Sequence, residues 1–270
     1  MQRGEGALHR GKTDVNIRIR VFTSLARYSF PVTDKGTHIV RLHFHPFNSS
    51  NIDLGRAQFH VLVNGHVVLR NFTCLANGSR NPRIVEYLIW VNADSLVVVF
   101  VPNKDLKLTF VNAIEVIFAP KDLVPETAQY LSPSKVEKFE GLKKQSLEVL
   151  YRVTVGGVKV TPFNDSFWIP NDGFFCDIAG ISLGLFYFNV YVNGHMAYED
   201  LDLSYITNSL ASPFYTDFVV DGEGALSVGV GPLQRSMLYV VDGILNAIEE
   251  VTWIKGICVV VKVGLKFIRL

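Results

Sequence analysis

The side chains able to do chemistry fall into a few sets. His43 and His45 lie two apart, so in a strand they share a face, and His60 and His66 follow close behind. A metal site would need three or four such ligands converging, with partners behind them to orient the rings. The spacing offers only a pair, for which hydrogen-bonded or solvated imidazoles are the simpler outcome. Carboxylates gather at Glu199, Asp200 and Asp202 in AYEDLDL and again at Glu249-Glu250. Two facing carboxyl groups would mean glycoside hydrolysis, but nothing in the order of residues sets two of them across a cleft. There is no Gly-x-Ser-x-Gly elbow or phosphate-cradling loop, and Val155-Gly156-Gly157 is not followed by a helical pattern. Cys74, Cys176 and Cys258 show no metal spacing, so one disulfide or three free thiols both stay open. No catalytic, metal-binding or cofactor-binding residue is assigned, and the chain reads as a non-enzyme.

Aromatic rings are the remaining route to a ligand. Tyr28, Tyr87, Trp90, Tyr187, Tyr191, Tyr198, Tyr205 and Tyr215 could offer stacking faces to sugar rings. Most of them are expected to cap a core. Tyr191 is the outward candidate, because it lies on the face opposite Phe188, Val190 and Val192.

The elements that would carry these residues are written twice. Phe59 to His66 reads FHVLVNGH and Phe188 to His195 reads FNVYVNGH. In each, Phe, Val and Val alternate with other residues, which makes one face of a strand apolar. Each then reaches Asn-Gly (Asn64-Gly65, Asn193-Gly194), the pair that tolerates positive φ at both centres of a type I′ turn. The echo continues in order: Glu86-Tyr87-Leu88-Ile89 with Asp217-Phe218-Val219-Val220, LVVVFVP from Leu96 with LSVGVGP from Leu226, and FVNAIE from Phe110 with ILNAIE from Ile244. Two copies of one β-rich domain in tandem are expected. His60 falls opposite Asn189, which argues against a metal ligand common to both copies.

Composition agrees with such a scaffold. The 270 residues are 49% apolar and 19% charged, a globular balance, with a net charge of +1 that points to no nucleic-acid or acidic-lipid partner. Asn48, Asn71, Asn77 and Asn164 stand in Asn-x-Ser/Thr sequons, which lean towards secretion. Against that, MQRGEGALHRGKTD has no apolar core of a signal peptide. No stretch reaches the roughly 18–20 uninterrupted apolar residues of a membrane span.

Along the chain, residues 1–16 read as a disordered arm and 17–120 as the first domain. Within it, strands are expected from Ile17, at His38–Phe44, around the hairpin, and at Ile84–Val91, Ser95–Val101 and Leu108–Phe118. Residues 121–146, with Pro120 just before them, Pro125, Pro133 and a charged run from Lys135, read as a linker holding at most one helical turn. The second copy is placed at 147–252, and 253–270 is left as a tail. The second copy looks incomplete, because Tyr151–Gly173 does not resemble the segment Ile17–His43. A sandwich lacking central strands exposes ladder groups and an apolar face, which invites association.

RVFTSLARYSFPV, RLHFHPF, LGRAQFHVLVNG, FVNAIEV and LEVLYRVTVGG, then FCDIAG, FYFNVYVNGHMAYEDLDL, ASPFYTDFVVD and GILNAIE, resemble in this order the malectin-like ectodomain of plant receptor-like kinases of the Catharanthus type, the FERONIA and THESEUS group. The resemblance implies an all-β fold of two tandem malectin-like, jelly-roll-like sandwiches on the outer face of the plasma membrane. It implies non-catalytic recognition of cell-wall polysaccharide, or of a small secreted RALF-type peptide with a GPI-anchored co-receptor. The contact residues do not transfer with the motifs. The alternative is a degenerate or decoy fragment without a ligand, self-associating through exposed strand edges. Relative to the family pattern the chain starts downstream of the opening strand. It also passes from about Asp172 to Phe175-Cys176-Asp177 without a block of about half a domain, and it carries no kinase motifs.

Overall fold

The computed structural model describes residues 18–46, 53–74, 82–154, 187–208, 214–222, 225–232, 245, 247–254 and 258–265. Strands dominate, as the alternating patterns require. The chain divides into two compact units, Met1–Val124 with Lys143–Glu148, and Pro125–Leu142 with Val149–Leu270.

The first unit contains β1 (Arg20–Phe22), β2 (Ala26–Pro31), β3 (Gly36–Phe44), β4 (Phe59–Val63), β5 (His66–Phe72), β6 (Arg83–Val91), β7 (Ser95–Pro102), β8 (Thr109–Val111) and β9 (Ala113–Phe118). One sheet runs β2-β7-β4-β5, β6-β3-β9 lie side by side in another, and β1 pairs with β8. Alternation places Phe59, Val61 and Val63 of β4 in the core with no exposure. There Phe59 meets Phe44, Phe72, Phe100 and Phe110 at ring separations of 5.4–6.4 Å. Tyr87 of β6 crosses between the sheets and donates its hydroxyl to the Val68 carbonyl of β5 at 3.2 Å.

The single strand expected at Leu108–Phe118 is two strands in different sheets. Asn112 makes the corner: its N–H donates to the His43 carbonyl, its side-chain oxygen accepts from the His45 N–H, and its amide donates to the Arg18 carbonyl. A short polar side chain satisfies the ladder groups that the change of sheet leaves open.

The second unit contains β10 (Thr127–Ser132), β11 (Lys135–Glu140), β13 (Phe188–Val192), β14 (His195–Leu201), α1 (Leu203–Thr207), β15 (Phe214–Asp221), β16 (Val228–Pro232), β17 (Ala247–Trp253) and β18 (Cys258–Leu265). Before β13, β12 (Leu147–Thr154) starts in the first unit and continues in the second. One sheet runs β14-β13-β16, and the strands β11-β10-β15-β18-β17 lie side by side in another. Phe188, Val190 and Val192 are fully buried against Phe218, Val220, Val261 and Val263.

Two expected boundaries change. Residues 121–146 are no linker: β10 and β11 form a hairpin there, and β10 pairs in parallel with β15. The alternating charges Lys135, Glu137, Lys138 and Glu140 that suggested a connector lie on or beside an exposed edge strand, where charge discourages edge-to-edge pairing. The supposed tail 253–270 holds β18, which pairs antiparallel with β15 on one side and β17 on the other. The arm 1–16 and the segment 155–173 lie outside the described residues.

Candidate functional site

The two Asn-Gly sites reproduce one another atom for atom. Asn64 and Gly65 have φ of 47° and 81°, Asn193 and Gly194 of 51° and 78°, the positive pair that a type I′ turn needs. Each Asn also binds the strand beside its hairpin. Asn64 N–H donates to the Val97 carbonyl at 2.8 Å, and Val97 N–H donates back to Asn64 Oδ1 at 2.7 Å. Asn193 and Ser227 repeat the exchange at 2.8 and 2.9 Å. The asparagine therefore sets the turn and also joins the hairpin to β7 or β16.

His60 and Asn189, matched in the repeat, perform one task. His60 Nδ1 accepts from the Asn71 N–H at 3.1 Å, and Asn189 Oδ1 accepts from the Asp200 N–H at 3.0 Å. Asn71 and Asp200 both sit at positive φ, 49° and 53°, where the register of each hairpin shifts. These side chains satisfy the amide of a bulge. His43 is engaged by Glu115, Nε2 to Oε1 at 2.5 Å. Among the described residues no three or more His, Cys, Asp or Glu side chains gather to hold a metal.

Tyr191 lies on the outward face of β13 and is half-buried. Asn189 Nδ2 donates to its hydroxyl at 3.2 Å, and the ring edge comes within 3.6 Å of where a Cβ on Gly231 would stand. Opposite Tyr191 in register is Gly229, with open space above it. A pinned ring beside a glycine strip is a rigid, partly wet platform of the kind a flat apolar or sugar face can stack on. The other tyrosines divide. Tyr28 packs edge-on against Phe22 and Phe100, Tyr198 against Phe214, and Tyr87 is internal. Lys143 sits over the Trp90 ring at 5.5 Å. Tyr205, 83% exposed, projects from α1. Half-buried Tyr215 lines an open groove of about 530 Å³ with Thr127, Gln129, Glu137, Lys138 and Thr216. The groove was not legible in the sequence, because two of its walls come from the hairpin read as a linker.

The clustered carboxylates are dispersed in their duties. Asp202 accepts from the Tyr205 N–H at 3.1 Å and starts α1, while Glu199 and Asp200 are exposed on β14. Glu249 is buried and pairs with Arg152, Nε to Oε1 at 2.7 Å. Cys74 is buried and Cys258 half-buried, both as free thiols; burial pushes the Cys74 thiol up to about 12, with Arg83 pulling the other way. Asn71 is the described sequon, and it is exposed. Asn48, Asn77, Asn164 and Cys176 lie outside the described residues.

A charged row, unforeseen from the sequence, occurs in both units on the sheet face turned away from the sandwich core. In the first, Arg41 of β3 stands in register between Glu86 of β6 and Glu115 of β9. Its Nε contacts Glu86 Oε2, and Nη1 reaches Glu115 Oε2 at 3.4 Å. In the second, Lys262 of β18 stands between Asp217 of β15 and Glu249 of β17, with Nζ 3.3 Å from Asp217. Burial raises the Asp217 pKa, an effect opposed by Lys262 and reinforced by Glu249. Glu86 with Asp217, and Glu115 with Glu249, are matched positions of the repeat.

Comparison with known proteins places this architecture. Residues 19–113 match the family model described as the malectin domain. The chain is 31% identical to a probable receptor-like protein kinase of Arabidopsis thaliana, an alignment using 85% of this chain and 37% of the relative. It is 30% identical to Receptor-like protein kinase THESEUS 1 of the same plant, using 85% and 35%. The chain thus spans little over a third of the relatives it matches. The first alignment runs over 307 positions, more than the 270 residues of the chain, so the relative carries residues without a counterpart here. Among solved structures the fold is similar to the plant receptor-like kinase ANX2, with TM-score 0.72, 19% identity, and coverage of 96% of this chain and 87% of that one. A structure of the plant peptide RALF23 in complex with FER and LLG2 matches at TM-score 0.62 and 19% identity, covering 91% and 82%.

Proposed function

From the premise that this chain belongs to the malectin-like ectodomains of plant receptor-like kinases, with its malectin domain at residues 19–113, we propose that it is a non-catalytic recognition module acting at the cell surface. Its ligand is a small secreted peptide of the RALF type, bound with a GPI-anchored co-receptor, or a cell-wall polysaccharide. The observation that carries this reading is the fold shared with a receptor kinase captured with a secreted peptide. The chemistry of the site fits recognition: His43, His60, Asp202 and Glu249 are engaged in ion pairs, a cap and a bulge, while Tyr191 and the Tyr215 groove stay accessible. Among the described residues no helix is long and apolar enough to cross a membrane. The test is binding of the folded, secreted chain to RALF-type peptides, pectin and a plant glycan array. Saturable binding weakened by Tyr191→Ala supports the reading. No saturable binding to any of them ends it.

A second reading is favoured by one finding, the residues of the relatives that have no counterpart here. It makes the chain a degenerate or decoy fragment without a ligand that associates through strand edges. Light scattering after size exclusion separates the two: a cooperatively melting monomer supports the module, concentration-dependent oligomers the fragment.

A further inference from the structure

The sheets of the two units contain the same central position filled from different places in the sequence. In the first unit the strand between β6 and β9 is β3, which precedes the β4–β5 hairpin. In the second unit the strand between their counterparts, β15 and β17, is β18, which follows everything else in its copy. β18 is antiparallel to both neighbours, as β3 is, with register from Phe214↔Leu265 to Asp221↔Cys258 on one side and from Ala247↔Gly264 to Thr252↔Val259 on the other. It therefore satisfies two rows of backbone groups at once. It places Val261 and Val263, both fully buried, among Phe188, Phe218 and Val220. On its other face it sets a cation, Lys262, where Arg41 stands in β3, between carboxylates at matched positions.

We infer that the second unit is a strand acceptor: its sheet has a central slot that binds a β-strand by its backbone, and residues 258–265 are the ligand that fills it in place of a β3 counterpart. The slot selects a strand by two features. Apolar side chains at alternate positions reach the core, and one cation on the opposite face lies between Asp217 and Glu249. This is strand addition in which main-chain bonds supply affinity and alternate side chains supply selectivity. The inference stands independently of the ligand proposed above.

The test uses the full chain with residues 255–257 replaced by a specific protease site. Before cutting, it should melt as the parent does. After cutting, residues 258–270 should stay with the body through size exclusion, and isotope-labelled peptide 258–270 should exchange into the slot under mild denaturant. Displacing the fragment without replacement should abolish the second unit's cooperative melting, and added peptide should restore it. A Lys262→Glu peptide should bind at least about a hundredfold more weakly, since a third acid would then stand between buried Asp217 and Glu249, where the remaining cation, Arg152, is already paired with Glu249. The inference is overturned if the cut fragment leaves while the second unit's melting is unchanged. It is equally overturned if the Lys262→Glu peptide fills the slot as well as the parent peptide.

Discussion

Removing the cation from the first unit's charged row should be far more damaging than removing its outer acid. Arg41 and Glu86 side chains are each 2% exposed, whereas Glu115 is 39% exposed. At contact distance in an environment of intermediate dielectric, a charge pair is worth about 4 kcal/mol, and stripping one partner from a buried pair typically costs about 3–5 kcal/mol. Arg41→Met should therefore destabilise the first unit by about 3–5 kcal/mol. Glu86→Gln should approach that figure, because it leaves the guanidinium buried beside a neutral amide. Glu115→Gln should cost about 1 kcal/mol or less, since water already screens that carboxylate. Arg41→Lys should fall between, because a lysine cannot fork towards two carboxylates. The double variant Arg41→Met/Glu86→Leu should recover most of the loss, as apolar replacement of a whole buried pair is often neutral; Glu115 would keep His43.

Urea unfolding followed by fluorescence reads this out. Of the three tryptophans, Trp90 belongs to the first unit and Trp168 and Trp253 to the second. A Trp168→Phe/Trp253→Phe background leaves Trp90 as the reporter. The reasoning is refuted if Arg41→Met costs under about 1 kcal/mol, the range of an exposed pair. It is refuted as well if Glu115→Gln costs as much as Glu86→Gln.

Phe59→Ala and Phe188→Ala should each cost about 3–5 kcal/mol in their own units by thermal or urea unfolding, since both rings are fully buried. Asn193→Ala should cost about 1–2 kcal/mol from placing alanine at φ 51° alone. Asn193→Gly keeps that conformation and loses only the bond to Ser227, so it should be the milder change, and the same order is expected at Asn64. Burial pushes the Cys74 thiol up to about 12 in the folded chain from its ordinary 9.0. Raising the pH through that interval therefore deprotonates the unfolded chain first and lowers stability. Cys74→Ala should flatten the pH dependence there, and native Cys74 should resist alkylation until the unit unfolds. Secreted from a eukaryotic host, the chain should carry a glycan at exposed Asn71, read as a mass shift lost on glycosidase treatment and in Asn71→Gln.

What could be read in advance was whatever depends on neighbours in sequence. The interior faces of β4 and β13, both Asn-Gly turns and the pairing of the repeats follow from alternation and local backbone preference, so a single strand shows them. The hairpin β10–β11 was hidden because edge position is a property of the sheet: KVEKFE has no apolar face to betray a strand, and its charges look like those of a connector. β18 was hidden for the opposite reason. In CVVVKVGL a lysine amid valines looks like an interruption of an apolar tail, and only the register shows it as a paired charge. Yet a clue was present. Once Glu86 and Glu115 are matched to Asp217 and Glu249, a second copy of the acids demands a second cation in register between them, and the copy contains no segment like RLHF to provide Arg41. Arg152 already answers Glu249, but a cation against buried Asp217 still favours the folded state, so a replacement strand carrying a positive charge flanked by β-branched residues suits the position. VVVKV at 259–263 is such a run, and the charge facing Asp217 joins the buried valines and the two backbone ladders in fixing that segment at the centre of the sheet.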